Sequence, residues 1–372
     1  MPHILNALRM VSRMGGIFVL ALVTIRADPD TQSSLPPPRV GAYYFEGWAG
    51  RSQFANDTNQ PWARNAPTHL TLRMLEEFPG REPVWGWRDD SLEIMERQID
   101  LAANHGLAFF AFCWYWHENG LAIHPQKIQE DPKHTCLDLF LKAKNRDRLK
   151  FCLLVANHQG FEIKGSVHWK QAVNFWMPYL KHPQHLRIDG RPLVVIFSAE
   201  GCKKEDLAAM QDAARQAGLV GLAIAGCGAG TFESGYTHRT HYNVVPGYAT
   251  GAAQHQYAEL VAANRAAWGG SRDQPYIPIV TAGWDKRPWE GPKGLNQPPG
   301  SYYPDRTPQQ FAEFLRDAFS WMNQHPEQTT AERLVLIYAW NEFGEGGYIA
   351  PTKEDPDGTY LKALQSVAMP TR

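Results

Sequence analysis

Excess charge of either sign is missing from this sequence. Lys and Arg number 37 against 38 Asp and Glu, a formal net charge of −1, so no electrostatic case exists for nucleic acid or an anionic membrane surface as a partner. The expected partners are neutral. Cysteine is sparse: Cys113, Cys136, Cys152, Cys202 and Cys227 are scattered without C-x-x-C spacing, which leaves neither a zinc ribbon nor a readable disulfide framework. Long hydrophobic runs are missing too, since Gly15–Ile25 is apolar but too short to span a bilayer stably. Ser198 has no G-x-S-x-G elbow around it, and neither a glycine-rich phosphate loop nor a dinucleotide fingerprint occurs, so nucleophilic-serine and nucleotide readings are weak. His238 and His241 make an H-x-x-H pair, but the segment YTHRTHYN is not convincingly helical and offers no third ligand. Neither a metal nor a cofactor is expected.

What is present begins with an export pattern. Arg9 and Arg13 form a positive n-region and Gly15–Ile25 a short apolar h-region, so residues 1–28 read as a signal peptide. Residues 29–39, with TQSSLPPP inside them, read as a polar, proline-stiffened leader. The expected product is exported, periplasmic or extracellular, with no stable membrane insertion once the signal is removed.

From Val40 onward strand-like and helix-like segments alternate. The candidate strands are Val40–Phe45, Ala108–Trp114, Phe151–Val155, Leu193–Phe197, Leu222–Ala225, Asn243–Val245, Ile277–Thr281 and Leu334–Tyr338. Helical patterns cover Ser91–His105, His134–Lys144, Val167–Leu180, Lys203–Ala217, His255–Ala267 and Thr307–Asn323. Alternating β and α elements argue for a parallel sheet, and this number of units for an α/β fold of one (β/α)8 TIM barrel over residues 40–372. Glu46–Asp90, rich in Gly, Pro, Asn and Trp, reads as an elaborated non-helical loop after the first strand.

Chemistry in such a barrel collects where the strands end. The first strand leads into Tyr43, Tyr44 and Glu46, the second into Trp114, Tyr115, Trp116, His117 and Glu118, and the third into Asn157 and His158. Later strands bring Tyr248, Trp284 and Asp285, and the last brings Trp340 and Asn341 with Glu342 and Glu345. The last set lies in LVLIYAWNEFGEGGYIAP, a buried-strand pattern that stops abruptly at two acids set among glycines. Trp is plentiful, at 13, and Trp and Tyr cluster near the predicted strand ends, where such rings would stack on the apolar faces of sugars. A purely structural reading stands beside each candidate. His117 and His158 would then be hydrogen-bonded loop histidines, Glu46, Glu118 and Asp285 partners of arginines such as Arg51 and Arg287, and single Trp residues plain core.

Paired carboxylates, aromatic platforms and no cofactor motif suit glycosidic bond cleavage, in which one acid protonates the departing oxygen and the second supports charge at the anomeric carbon. Glu342 and Glu345 would meet the shorter, retaining separation on one helical turn, although Gly344, Gly346 and Gly347 argue against a helix there. The ordered set VGAYYFEGW, HGLAFFAFCWYW, LKFCLLVANHQ, RIDGRPLVVIF, VTAGWDKRPW and WNEFGEGGYIAP resembles the glycoside hydrolase family 99-like proteins over nearly the whole mature chain. That group is similar to the endo-acting α-mannosidases of family 99, and the resemblance implies a retaining, metal-free mechanism on a (β/α)8 barrel. It implies that Glu342 is the base toward the substrate's own 2-hydroxyl and Glu345 the acid/base at the glycosidic oxygen. The mannosidase motif resembles E-W-H-E, whereas Phe343 and Gly344 stand between the acids here, so mannose is not implied. The expected function is an exported glycoside hydrolase acting on a polysaccharide or complex glycan. A carbohydrate-binding barrel without hydrolysis is the alternative, as is a glycosyltransferase, a label that some of the broader group carry.

Overall fold

Short runs of β-branched and aromatic residues, apolar on both faces, can be satisfied only where a strand is covered on both sides, and they build the inner layer here. The computed structural model describes residues 35–116, 127, 128, 130–228, 235–269 and 274–369. The expected signal at 1–28 lies outside them, and the barrel occupies the compact unit Pro37–Arg372. Its parallel strands are β1 (Arg39–Tyr44), β2 (Leu107–Trp114), β3 (Lys150–Val155), β4 (Arg191–Ile196), β5 (Ala223–Cys227), β6 (His238–Thr240), β7 (Ile279–Thr281) and β8 (Leu334–Tyr338). They pair in the order β6-β5-β4-β3-β2-β1-β8-β7. The two ends of this order meet at Arg239, whose amide donates to the Pro275 carbonyl at 3.0 Å and whose carbonyl accepts from Ile277 at 2.8 Å. The sheet is thus a nearly closed (β/α)8 TIM barrel, as expected.

The strand interiors are filled by rings and branched chains. Tyr44 on β1 lies 5.3 Å from the Phe110 ring and 4.8 Å from the Phe112 ring of β2, and all residues of β8 are buried. A Cβ at Gly41 would stand 2.2 Å from the Phe109 ring, so the β1 backbone gives this ring its space. Around the barrel run α1 (Leu72–Glu77), α2 (Leu92–Asn104), α3 (Thr135–Lys142), α4 (Gly165–Leu180), α5 (Lys204–Gln216), α6 (Tyr257–Trp268), α7 (Pro308–Gln324) and α8 (Thr359–Ala368). Their starts follow sequence signals. Ser91 caps α2 by accepting from Ile94 at 3.2 Å, and Thr307 forms a capping box with Gln310 ahead of Pro308 at the start of α7. Among the described residues no helix is long and apolar enough to cross a membrane.

Three expectations need correction. The sixth strand is His238–Thr240, not Asn243–Val245. Its residues are polar, and His238 and Thr240 are buried, with Thr240 Oγ1 donating to the Ile277 carbonyl at 2.9 Å, so apolar periodicity misses it. Val244 is held instead by Asn264 of α6, which exchanges hydrogen bonds of 3.0 and 2.9 Å with its backbone. Second, the segment after β1 is not free of helix. It contains α1, too short to show periodicity, capped by Thr71, which accepts from Met74 at 3.1 Å. Third, α8 was not anticipated. It packs near the N-terminal end of β2, where Gln365 donates to the Asn104 carbonyl at 3.1 Å.

Candidate active site

Strand β8 delivers its chain to the C-terminal face of the barrel, and the backbone turns there at once. Asn341–Glu342 pairs antiparallel with Gly347–Tyr348, and Glu345 N donates to the Glu342 carbonyl at 3.2 Å. Glu342 and Glu345 therefore sit on a tight hairpin turn, not on a helix. The glycines serve neighbouring rings. A Cβ at Gly344 would lie 2.0 Å from the Trp289 indole, and one at Gly347 would lie 2.1 Å from the Tyr338 ring. Gly346 adopts φ +73°, a left-handed conformation that side chains disfavour.

Both acids line one cavity of about 410 Å³. Glu342 is 2% exposed; its Oε1 accepts from the Tyr242 hydroxyl, while Oε2 is buried with no hydrogen-bond partner among the described residues. Burial, reinforced by the Glu345 charge, pushes its pKa well above the carboxylate range. Glu345 accepts from the Tyr338 hydroxyl. Burial pushes it up to about 7, against the lowering effects of that hydroxyl and of the Lys286 ammonium. Two carboxyls raised above their ordinary range by burial in one cleft are suited to passing protons.

Of the residues expected at the rim, His158 and Tyr248 line this cavity with the two acids. Most of the others are embedded in the walls. Asn341 clamps β1 to β8, accepting from Phe45 N at 2.7 Å and donating to the Phe45 carbonyl at 2.9 Å. The Tyr43 hydroxyl donates to the His241 carbonyl at 2.9 Å, the Tyr44 hydroxyl to Asp89 at 3.0 Å, and Trp340 Nε1 to Gln98 at 2.7 Å. Glu46 does not pair with an arginine. Its carboxylate accepts from Cys136 N at 3.0 Å and Leu137 N at 3.2 Å, at the start of α3. Asn157 joins the ends of β3 and β4, accepting from Ser198 N at 2.9 Å and donating to the Ser198 carbonyl at 3.0 Å. Asp285 takes ion pairs from Arg81 at 2.5 Å and Arg287 at 2.7 Å. Trp284 is buried 5.4 Å from Tyr248 and 6.0 Å from Tyr338, and Trp116 is buried beside Trp114. His117 and Glu118 lie outside the described residues.

Tyr115, expected at the end of the second strand, lines the cavity too, together with Tyr242, His69, Lys133, Trp289 and Gln297, which no sequence pattern singled out. Tyr242 follows β6 by two residues, so correct placement of that strand would have put it at a strand end. The H-x-x-H histidines point elsewhere: His238 Nδ1 hydrogen-bonds with Thr237 Oγ1 at 2.8 Å and His241 Nδ1 with the Tyr276 hydroxyl at 2.7 Å. Among the described residues no group of three or more His, Cys, Asp or Glu is arranged to hold a metal ion.

Comparison with known proteins adds three solved structures of similar fold. The GH99 endo-α-mannosidase from Bacteroides thetaiotaomicron superposes with a TM-score of 0.56 at 14% identity, covering 88% of this chain and 95% of that one. The same enzyme in complex with BIS-TRIS-propane gives 0.54 at 15% identity over the same shares. A glycoside hydrolase-like protein gives 0.56 at 15% identity, covering 91% and 96%. A search of curated proteins returned no match. The family model described as "Glycosyltransferase WbsX" matches residues 87–364.

Proposed function

The chain belongs to this WbsX family, and we propose that it is an exported glycoside hydrolase acting on a polysaccharide or complex glycan. The observation that carries the reading is the pairing of Glu342 and Glu345, both raised in pKa, on one aromatic-walled cavity at the C-terminal face of the barrel. The export pattern at residues 1–28 supports a glycan met outside the cytoplasm. Roles follow the family 99 resemblance. Glu345 gives its proton to the departing glycosidic oxygen as the anomeric C–O bond breaks, while Glu342 takes the proton of the 2-hydroxyl, whose oxygen closes on the anomeric carbon. Water then gives a proton to Glu345 and its oxygen to the anomeric carbon, and the opened 2-oxygen recovers its proton from Glu342. A carboxylate held above its usual range is the stronger base for the sugar hydroxyl, and a carboxyl near 7 can both give and take at neutral pH.

The test is incubation with a panel of defined polysaccharides, reading released reducing ends and the anomer first formed. Glu342→Gln and Glu345→Gln should each lower turnover by about two or more orders of magnitude with the fold intact. An aryl glycoside with a good leaving group should partly rescue the Glu345 variant. Normal turnover in either variant removes that acid from the mechanism, and an inverted first anomer removes the retaining course. The family's description favours a second reading, glycosyl transfer on the same barrel. A product that forms only with an activated sugar donor would establish it. Equal glycan affinity in wild type and both variants, with no product, would mark a binding protein.

A further inference from the structure

Lys286 is a cation with no exposed surface in the wall behind the acid pair. Its neighbour Asp285 donates its amide to the Glu345 carbonyl at 2.6 Å, so this segment and the acid loop are joined. The ammonium donates to the Pro298 carbonyl, lies 3.6 Å from Glu290 Oε1 and stands 4.8 Å from the centre of the Tyr248 ring. Tyr248 in turn lines the cavity together with Glu345. Removing an ammonium from water is costly, and such a charge persists only where its surroundings compensate it. The compensating carboxylate is itself fixed in place, since the Glu290 Oε1 that faces Lys286 also accepts from Gly300 N at 2.9 Å.

We propose that Lys286 is a positioning residue for Glu345: its buried ammonium, fixed behind Tyr248, sets how readily that carboxyl gives and takes a proton. This rests on the reading of Glu345 as the acid/base. The groups that face Glu345 are Tyr338, which donates to it, together with Glu342, Tyr242, Tyr248 and Tyr115. Another negative charge at any of these would make Glu345 hold its proton more tightly, as burial already does; Lys133 lines the same cavity, and the Lys286 charge acts on Glu345 in the opposite sense. Without it Glu345 would keep its proton through the step in which it must release it.

The experiment titrates the full chain, labelled with ¹³C at the glutamate carboxyls, by NMR, with the Glu345 signal identified by its loss in Glu345→Gln. In Lys286→Met the Glu345 midpoint should rise by about one pH unit, the lower end of what a nearby charge produces, and Lys286→Arg should return it toward wild type. Glu290→Gln should move it the other way, because the ammonium loses its counter-charge while the amide oxygen still accepts from Gly300. Unmoved midpoints in Lys286→Met and Glu290→Gln would overturn the proposal. Should the methionine variant fail to fold, the Glu290→Gln titration decides alone. A shifted midpoint in a chain whose Glu345→Gln variant still cleaves glycan would sink the acid/base reading and leave the link between Lys286 and Glu345 standing.

Discussion

Tyr242 and Tyr338 each give one hydroxyl to one acid, and the two acids are otherwise unequal. Glu342 keeps a buried oxygen with no donor among the described residues, whereas Glu345 also feels Lys286. A hydrogen bond to a carboxylate favours the ionised form, so Tyr242→Phe should make Glu342 hold its proton more tightly. The acidic limb of the kcat profile, where the base must be free, should then move to higher pH. Turnover at neutral pH should fall by about 10- to 100-fold, the scale of a lost positioning contact. Unchanged limbs in a folded variant would show that Tyr242 does not act on Glu342. Neither tyrosine advertised itself in the sequence. Tyr338 reads as one more apolar residue of a buried strand, and its hydroxyl gains meaning only because the chain folds back through Gly347 to place Glu345 over it.

At the scale of elements, the turn after β8 and the loop after β7 are made for each other. The Trp289 indole occupies the volume that any side chain at position 344 would need, and its Nε1 donates to the His69 carbonyl at 3.3 Å. The departure from the E-W-H-E pattern therefore has a local cause: where that motif carries a histidine, this barrel carries the edge of a tryptophan. Gly344→Ala should cost about 1–3 kcal/mol, the usual range for overpacking, and lower activity because the displaced ring lines the cavity. Trp289→Ala alone should also destabilise, but adding Gly344→Ala to it should cost little more. Thermal unfolding of the two single variants and the double variant measures the coupling, and additive losses would contradict the steric account. The misplaced sixth strand belongs to this scale. Thr240 is buried with its hydroxyl on the Ile277 carbonyl just ahead of β7, and a pattern of alternation cannot register side chains whose polarity is met by distant groups.

For the whole molecule, burial of ionisable groups sets opposite pH slopes on stability. Asp89, enclosed with Tyr44 and Cys136, is raised from 3.8 to about 7. The folded chain holds that proton more tightly than the unfolded one, so this group's contribution is fully present below the ordinary aspartate range and is lost as pH rises through about 7. His241 is lowered from 6.5 to about 4, chiefly by burial and then by Arg239. Its contribution is present above 6.5 and lost as pH falls through about 4. Asp89→Asn should flatten the decline in Tm toward neutral pH, and His241→Gln the decline toward acid. Parallel Tm curves for wild type and either variant would contradict the corresponding assignment.

The sequence by itself determined the alternation of β and α elements apart from the sixth strand, α1 and α8, because the alternation of short apolar runs with amphipathic segments is a local property of the chain. It also determined the address of Glu342 and Glu345, because an apolar run that stops at two acids among glycines marks a strand end. Tertiary structure alone decided which strand-end residues face the cavity and which brace it. Glu46 became the acceptor at the start of α3, Asp285 the partner of Arg81, and Asn341 the clamp between β1 and β8. Those outcomes depend on contacts between residues far apart in the chain. A carboxylate's identity as catalyst, cap or ion-pair partner is set by the donors and charges that barrel closure brings around it.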